Sequence, residues 1–426
     1  MLWIHDRRSS YCRTVELRPF IQPLESRTLL ATTAWSNVVS APTSAPTASS
    51  ANTLPATPSS HAEVRSAAVP RPSTNPGHID VMYWPADRQV TQRGVDNYGT
   101  VSVLGHLQGP ATGVQVRALV SPGGNGEPLK WKPLDNFTNV NGTFSGVLRL
   151  AAGGWYTLQF RVIDRGRTGR VWTVPHVGVG EVFITAGQSN AANAGVLDPT
   201  YQVNDRISSF NGSQWAAGAN PLPFAQGSGG NIWVYMANRL VRDWNVPIGI
   251  DPIAWGAVGV ETWQPGVMLP DTGGVENFAR LTQAILSLQS RGGVRAVLWQ
   301  QGEADRFTGP ATYESLLSNV IETSRLVTGL NTAWVIALSS YIPGDTPLQP
   351  GQNPLDPTID PQSIRLGQYA VTRTLPNVYL GPSTDDLGPD YRDPDYHIHF
   401  NVVGLNIVGS RWAEVLEQTP QLITES

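Results

Sequence analysis

Val182-Phe183-Ile184-Thr185-Ala186 runs directly into Gly187-Gln188-Ser189-Asn190, an apolar, β-branched stretch that ends in a tight polar turn. A short run of this composition bounded by a turn reads as a buried strand. In a parallel α/β sheet, ligands bind beyond the carboxyl ends of the strands. Ser189 therefore stands where a nucleophile belongs, with its hydroxyl free to attack and its own backbone N–H facing a developing oxyanion. A strand-end turn that merely contains a serine looks the same over four residues. The assignment depends on what the rest of the chain supplies.

Beyond Ser189, helical apolar spacing recurs over residues 231–244 and 278–288, buried strands over 294–299 and 333–338, and further helices over 311–327, 363–373 and 403–416. That alternation predicts an α/β domain over residues 177–426 built on a doubly wound parallel sheet. Two of its segments complete an acyl-transfer set. Val297-Leu298-Trp299-Gln300-Gln301-Gly302-Glu303-Ala304-Asp305 is a second apolar strand running into a polar turn, and Asp395-Tyr396-His397-Ile398-His399-Phe400 lies near the C-terminus. A serine hydroxyl is a weak nucleophile, so it needs a histidine to take its proton and a carboxylate to fix that imidazole's tautomer. Of the seven histidines, His5 and His61 fall in a tail, and His78, His106 and His176 precede the serine. Only His397 and His399 follow the α/β pattern.

Gly187-Gln188-Ser189-Asn190, then Trp299-Gln300-Gln301-Gly302-Glu303-Ala304-Asp305, then a late Asp and His followed by Phe400-Asn401-Val402-Val403-Gly404, resembles the sialate O-acetylesterase and carbohydrate esterase family six group of SGNH hydrolases. The resemblance covers residues 177–417. It implies a serine esterase that removes O-acetyl groups from a carbohydrate, with no metal and no organic cofactor. Carried over residue by residue, it implies Ser189 as nucleophile and first oxyanion donor, Gly256 as second donor and the Gln301 side chain as third. The base is then His399 and its carboxylate Asp395. Two departures from the pattern leave alternatives open. Ala257 and Val258 replace the usual glycine and threonine, which keeps Gly259 as another donor. Three residues rather than two separate Asp395 from His399, which keeps Asp393 as another carboxylate and His397 as another base. Glu303 and Asp305 read as supporting or turn-capping residues. Trp263 and Arg306 read equally well as sugar contacts or as a packed aromatic and a solvated arginine.

The 426-residue chain exceeds what one hydrophobic core supports. A net charge of -4 without a basic stripe argues against a nucleic-acid partner. No run of about twenty apolar residues exists to span a membrane. The single cysteine, Cys12, excludes an internal disulfide. Residues 1–31 lack the apolar core of an ordinary signal peptide, but Leu24-Glu25-Ser26-Arg27-Thr28-Leu29-Leu30 resembles a leader found on exported bacterial proteins. A secreted, periplasmic or cell-surface location is the expectation. Residues 32–76, rich in Ser, Thr, Ala and Pro, read as a disordered linker. Residues 77–176 carry short alternating stretches between turn signals such as Asn141-Gly142, the pattern of a small β-sandwich, which in the resembling esterases precedes the catalytic part. Two other functions fit the same residues: a catalytically inactive cell-surface glycan-binding protein, and a general short-chain carboxylesterase.

Overall fold

The computed structural model describes residues 76–269, 272 and 274–424. The leader-like segment 1–31 and all but the last residue of the linker lie outside the described residues. Eight strands come first: β1 His78–Trp84, β2 Val90–Gln92, β3 Tyr98–Gln108, β4 Gly113–Val120, β5 Leu129–Pro133, β6 Asp135–Val140, β7 Thr143–Ala151 and β8 Trp155–Asp164. A four-stranded antiparallel sheet has the order β1-β3-β7-β6. A second antiparallel set runs β5-β4-β8. Along these strands buried and less buried residues alternate, because successive side chains point to opposite faces. The inward sets, among them Val103, Phe144 and Leu148 from one sheet and Val116, Leu158 and Phe160 from the other, belong to one apolar core.

The next strand, β9, spans Arg167–Gly187, 21 residues. Its first half pairs antiparallel with β8, from Asp164 opposite Arg167 to Trp155 opposite Gly178. Its second half is buried throughout and belongs to the α/β sheet. The chain thus passes from one β layer into the other along a single strand. At the crossing, the buried Glu181 carboxylate accepts from Arg93 and Arg295, each at 2.7 Å, and from Gln92 at 2.8 Å. Removing one partner of a buried ion pair leaves the other charge uncompensated, so Glu181→Leu is expected to cost about 3–5 kcal/mol, read as a lowered denaturant midpoint.

The α/β part adds β10 Ile207–Phe210, β11 Trp215–Ala217, β12 Ile248–Pro252, β13 Ala296–Gln300, β14 Ala333–Leu338 and β15 Val378–Ser383. Its helices are α1 Ile232–Trp244, α2 Asn277–Ser290, α3 Pro310–Thr328, α4 Ile364–Thr374 and α5 Val402–Glu417. The sheet order is β11-β10-β12-β9-β13-β14-β15, parallel except for the β10–β11 hairpin. In β13, Ala296 and Leu298 pack with Trp233 of α1 and Trp412 of α5. Val297 and Trp299 pack with Leu281, Leu317 and Ile364 of α2, α3 and α4. Helices therefore cover both faces, as the sequence pattern predicted, and the strands between them are rich in apolar residues for that reason. The chain crosses from one side of β9 to the other between β12 and β13, so a crevice opens at the carboxyl end of β9. That end carries Ser189.

Candidate active site

Gly187 ends β9 with φ +130°, and a Cβ there would lie 2.1 Å from the Gln300 carbonyl oxygen. Only glycine lets the strand end close against β13. A single 3-10 turn, Ser189–Ala191, follows, leaving Ser189 half-buried and Asn190 buried.

Asn190 connects three segments. Its Nδ2 donates to Glu303 Oε1 at 2.6 Å and to the Ile398 carbonyl at 3.4 Å. Glu303 also accepts from Ser339 Oγ at 3.0 Å, and its Oε2 is buried without a hydrogen-bond partner among the described residues. The turn after β9 is thereby tied to the turn after β13 and to the loop before α5. Ser189 and His399, the residues flanking these contacts, are brought to one crevice. No direct hydrogen bond joins the Ser189 hydroxyl to the His399 ring among the described residues, a common state before substrate tightens such a site.

The loop before α5 gathers around Asp393, the alternative carboxylate, rather than around Asp395. Asp393 Oδ1 accepts from Tyr396 N at 2.7 Å, and Oδ2 accepts from His399 N at 2.8 Å and Ile398 N at 3.1 Å. The loop folds around Asp393, which leaves Asp395 and His397 exposed at its outer turn. The extra residue is absorbed by this side-chain-to-backbone wrapping, with His397 at φ +54°, rather than by a bulge that re-aims Asp395. Burial raises the Asp393 carboxyl, but the Tyr396, His399 and Ile398 N–H groups and the nearby His399 ring outweigh it and hold its pKa below the ordinary value. Burial pushes His399 below the ordinary imidazole value, against the pull of Asp393 and Glu303. A neutral imidazole is the form that accepts a proton. The acid limb of a kcat/KM profile is accordingly expected below the ordinary histidine pKa, with activity lost as pH falls through it.

Of the expected oxyanion donors, Gly256 lies beside the serine: a Cβ on Gly256 would sit 3.8 Å from Ser189 Cβ. Its N–H donates to Gln226 Oε1, a bond that an incoming carbonyl can replace. Ala257 takes the usual glycine's place with φ +57°. Because a non-glycine residue there costs roughly 1–2 kcal/mol, Ala257→Gly is expected to leave the melting temperature unchanged or raise it. Gly259 opens the next 3-10 turn, Val260–Trp263, and no described contact ties it to Ser189. Gln301 is buried and already engaged. Its Nε2 donates to Gln188 Oε1, the Val258 carbonyl and Asp305 Oδ2, and its Oε1 accepts from Tyr313. Three acceptors share its two N–H protons. Asp305 supports the same loop by accepting from Val260 N at 2.8 Å. Trp263 is core, fully buried against Trp299 at 5.1 Å, and Arg306 is paired with Asp345 and Asp360.

Asn190, Glu303 and Gln226 complete the site. The first two lie inside motifs that the sequence displays, but their contact spans elements far apart in the chain. Gln226 carries no sequence signal.

Ser189 thus stands at the switch point of a parallel α/β sheet, in a turn tied to the loop that carries His399. Residues 179–417 match the family model described as carbohydrate esterase, sialic acid-specific acetylesterase, and the chain belongs to that family. It is thus a carboxylic ester hydrolase that removes O-acetyl groups from carbohydrate. Among solved structures it is similar to a carbohydrate acetylesterase from Xanthomonas citri, with 21% identity, TM-score 0.50, and coverage of 82% of this chain and 76% of that one. It is also similar to a protein from Arabidopsis thaliana, at 19% identity and TM-score 0.41 over 56% of this chain and 98% of that one. A salicylyl-acyltransferase from a tetracycline biosynthetic pathway shares 15% identity and TM-score 0.35, over 77% and 81% of the two chains. None of the curated proteins compared with the chain matched it.

Proposed function

We propose that Ser189 is the nucleophile of this esterase and His399 its base, with Asp393 holding the imidazole. The observation that carries the reading is the Asn190 link, which joins the serine turn to Glu303 and to the carbonyl preceding His399. His399 takes the hydroxyl proton as Ser189 Oγ attacks the acetyl carbonyl. The oxyanion is met by the N–H groups of Ser189 and Gly256, the latter released from Gln226. The bond to the sugar oxygen breaks, His399 returns the proton to that oxygen, and the acetyl group stays on Ser189. Water, deprotonated by His399, then releases acetate.

The β-rich stretch 77–176 serves as a small sandwich that buttresses the hydrolase, a role supported by the strand it shares through β9. The leader-like residues 1–31 support export to the periplasm or cell surface, where an acetylated sialate or xylan is met. The test compares acetate release from O-acetylated sugars with hydrolysis of p-nitrophenyl esters of increasing acyl length. A carbohydrate acetylesterase prefers the sugar acetates and loses rate steeply beyond acetyl. A general esterase accepts longer acyl chains at equal or greater rate, and an inactive glycan-binding protein releases nothing.

A further inference from the structure

Asp251 lies near the carboxyl end of β12, the strand beside β9. Its side chain accepts no hydrogen bond from a described residue, although the residue is only 3% exposed, and its Oδ2 is sealed from solvent. Buried carboxylates in folded proteins are paired or hydrogen-bonded because desolvating a charge is expensive. Burial pushes this one up to about 7, with Arg280 and Arg291 pulling the other way.

Asp251 opens into a cavity of about 230 Å³ that is also lined by Phe210, Asn211, Phe224, Arg280 and Gln283. The cavity adjoins the oxyanion loop. The Arg280 guanidinium lies 5.1 Å from the centre of the Trp255 ring, next to Gly256, and Phe224 is two residues from Gln226. Phe224 has φ +68° and is 41% exposed. A phenylalanine held in the left-handed region, which side chains disfavour, and open to solvent is not explained by packing.

These groups share one complementary ligand. A carboxylate without donors accepts from hydroxyls, a guanidinium and two amides serve the remaining oxygens, and the ring faces take an apolar C–H surface. An ammonium ligand is opposed by Arg280 and Arg291, and an apolar one leaves Asp251 unmet. We propose that this cavity is a sugar subsite in which Asp251 accepts from the ring hydroxyls of the acetylated carbohydrate while Phe224 supports the ring. The inference rests on the esterase reading above and names how that site holds its substrate.

The test uses the full chain in the Ser189→Ala background, so that esters persist during titration. Calorimetry with acetylated xylobiose, 6-O-acetylglucose and an O-acetylated N-acetylneuraminate reads affinity. A hydrogen bond to a charged group contributes about 1.5–3 kcal/mol, so Asp251→Asn is expected to weaken the tightest of these ligands by about tenfold or more. Phe224→Ala should weaken it severalfold. Asp251→Asn should melt at or above the parent temperature, since it removes an unpaired buried charge. Should it fail to fold, Phe224→Ala, at a half-exposed position, decides alone. Unchanged affinity in the folded variants overturns the subsite, as does the absence of binding by all three sugars. Acetate release by the unsubstituted chain scores the esterase reading separately: release without Asp251- or Phe224-dependent binding removes the subsite and leaves the esterase standing.

Discussion

Ser189→Ala is expected to lower kcat on p-nitrophenyl acetate by about ten-thousandfold or more, the loss seen when a serine hydrolase's nucleophile is removed. KM should change little, because the acetyl group and leaving group meet the same walls. The melting temperature should be preserved: Ser189 is half-buried, and its side chain makes no hydrogen bond among the described residues. The small residual rate will come from the N–H groups of residue 189 and Gly256, which do not depend on the hydroxyl. Brief quenching of the unsubstituted enzyme with substrate should show acetyl on the peptide that carries Ser189.

The second large effect separates two neighbouring aspartates. Asp393→Asn is expected to lower kcat by about ten-thousandfold at most and a hundredfold at least, because an amide no longer favours the imidazolium that forms in the transition state. Asp395→Asn should stay within about twofold, as expected for an exposed substitution away from the chemistry. Asparagine keeps one of the two accepting oxygens, so part of the loop's N–H bonding is lost with the charge, and a melting temperature read beside kcat separates the two effects. The signature of the lost charge is a displaced acid limb in the pH profile, since the His399 ring then lacks the charge of Asp393. Glu303 offers the competing arrangement: its charge also acts on His399, and its Oε2 has no hydrogen-bond partner among the described residues. A severe loss in Glu303→Gln with a mild one in Asp393→Asn would transfer the role to Glu303.

Which parts of this architecture the sequence displays follows from how local their causes are. The second half of β9 is legible because burial on both faces demands an unbroken apolar run, and the helices because their lengths give the 3.6-residue period room to repeat. The short strands β10, β12 and β15 carry no comparable pattern. The first half of β9, from Arg167 to Thr173, is exposed or half-buried throughout, so its continuity with the catalytic strand is a fact of pairing rather than composition. Within the site, Ser189 and His399 stand in motifs. That the loop gathers around Asp393 rather than Asp395 depends on three backbone N–H groups turning toward one carboxylate, which residue spacing cannot express. Gln301 likewise sits where an oxyanion donor belongs, and only its contacts with Gln188, Val258 and Asp305 reveal that its protons are committed. Asp251 is legible only in the structure, because an unpaired carboxylate and a paired one have the same letter.

The pH dependence of stability carries the same signature. The Asp251 carboxyl, raised to about 7 in the folded protein, binds a proton that the unfolded chain releases near pH 4. Stability is therefore full below that lower value and falls as pH rises from about 4 to 7. Asp251→Asn should flatten this slope in denaturant titrations.

The most direct measurement is acetate release from O-acetylated xylan oligosaccharide and O-acetylated N-acetylneuraminate by the full chain, beside its Ser189→Ala variant. The unsubstituted protein is predicted to release acetate from one of these sugars, and the variant to do so about ten-thousandfold more slowly or less. Acetate release at an undiminished rate in Ser189→Ala would contradict the serine mechanism, and no release by the unsubstituted protein from either sugar would contradict the account at its centre.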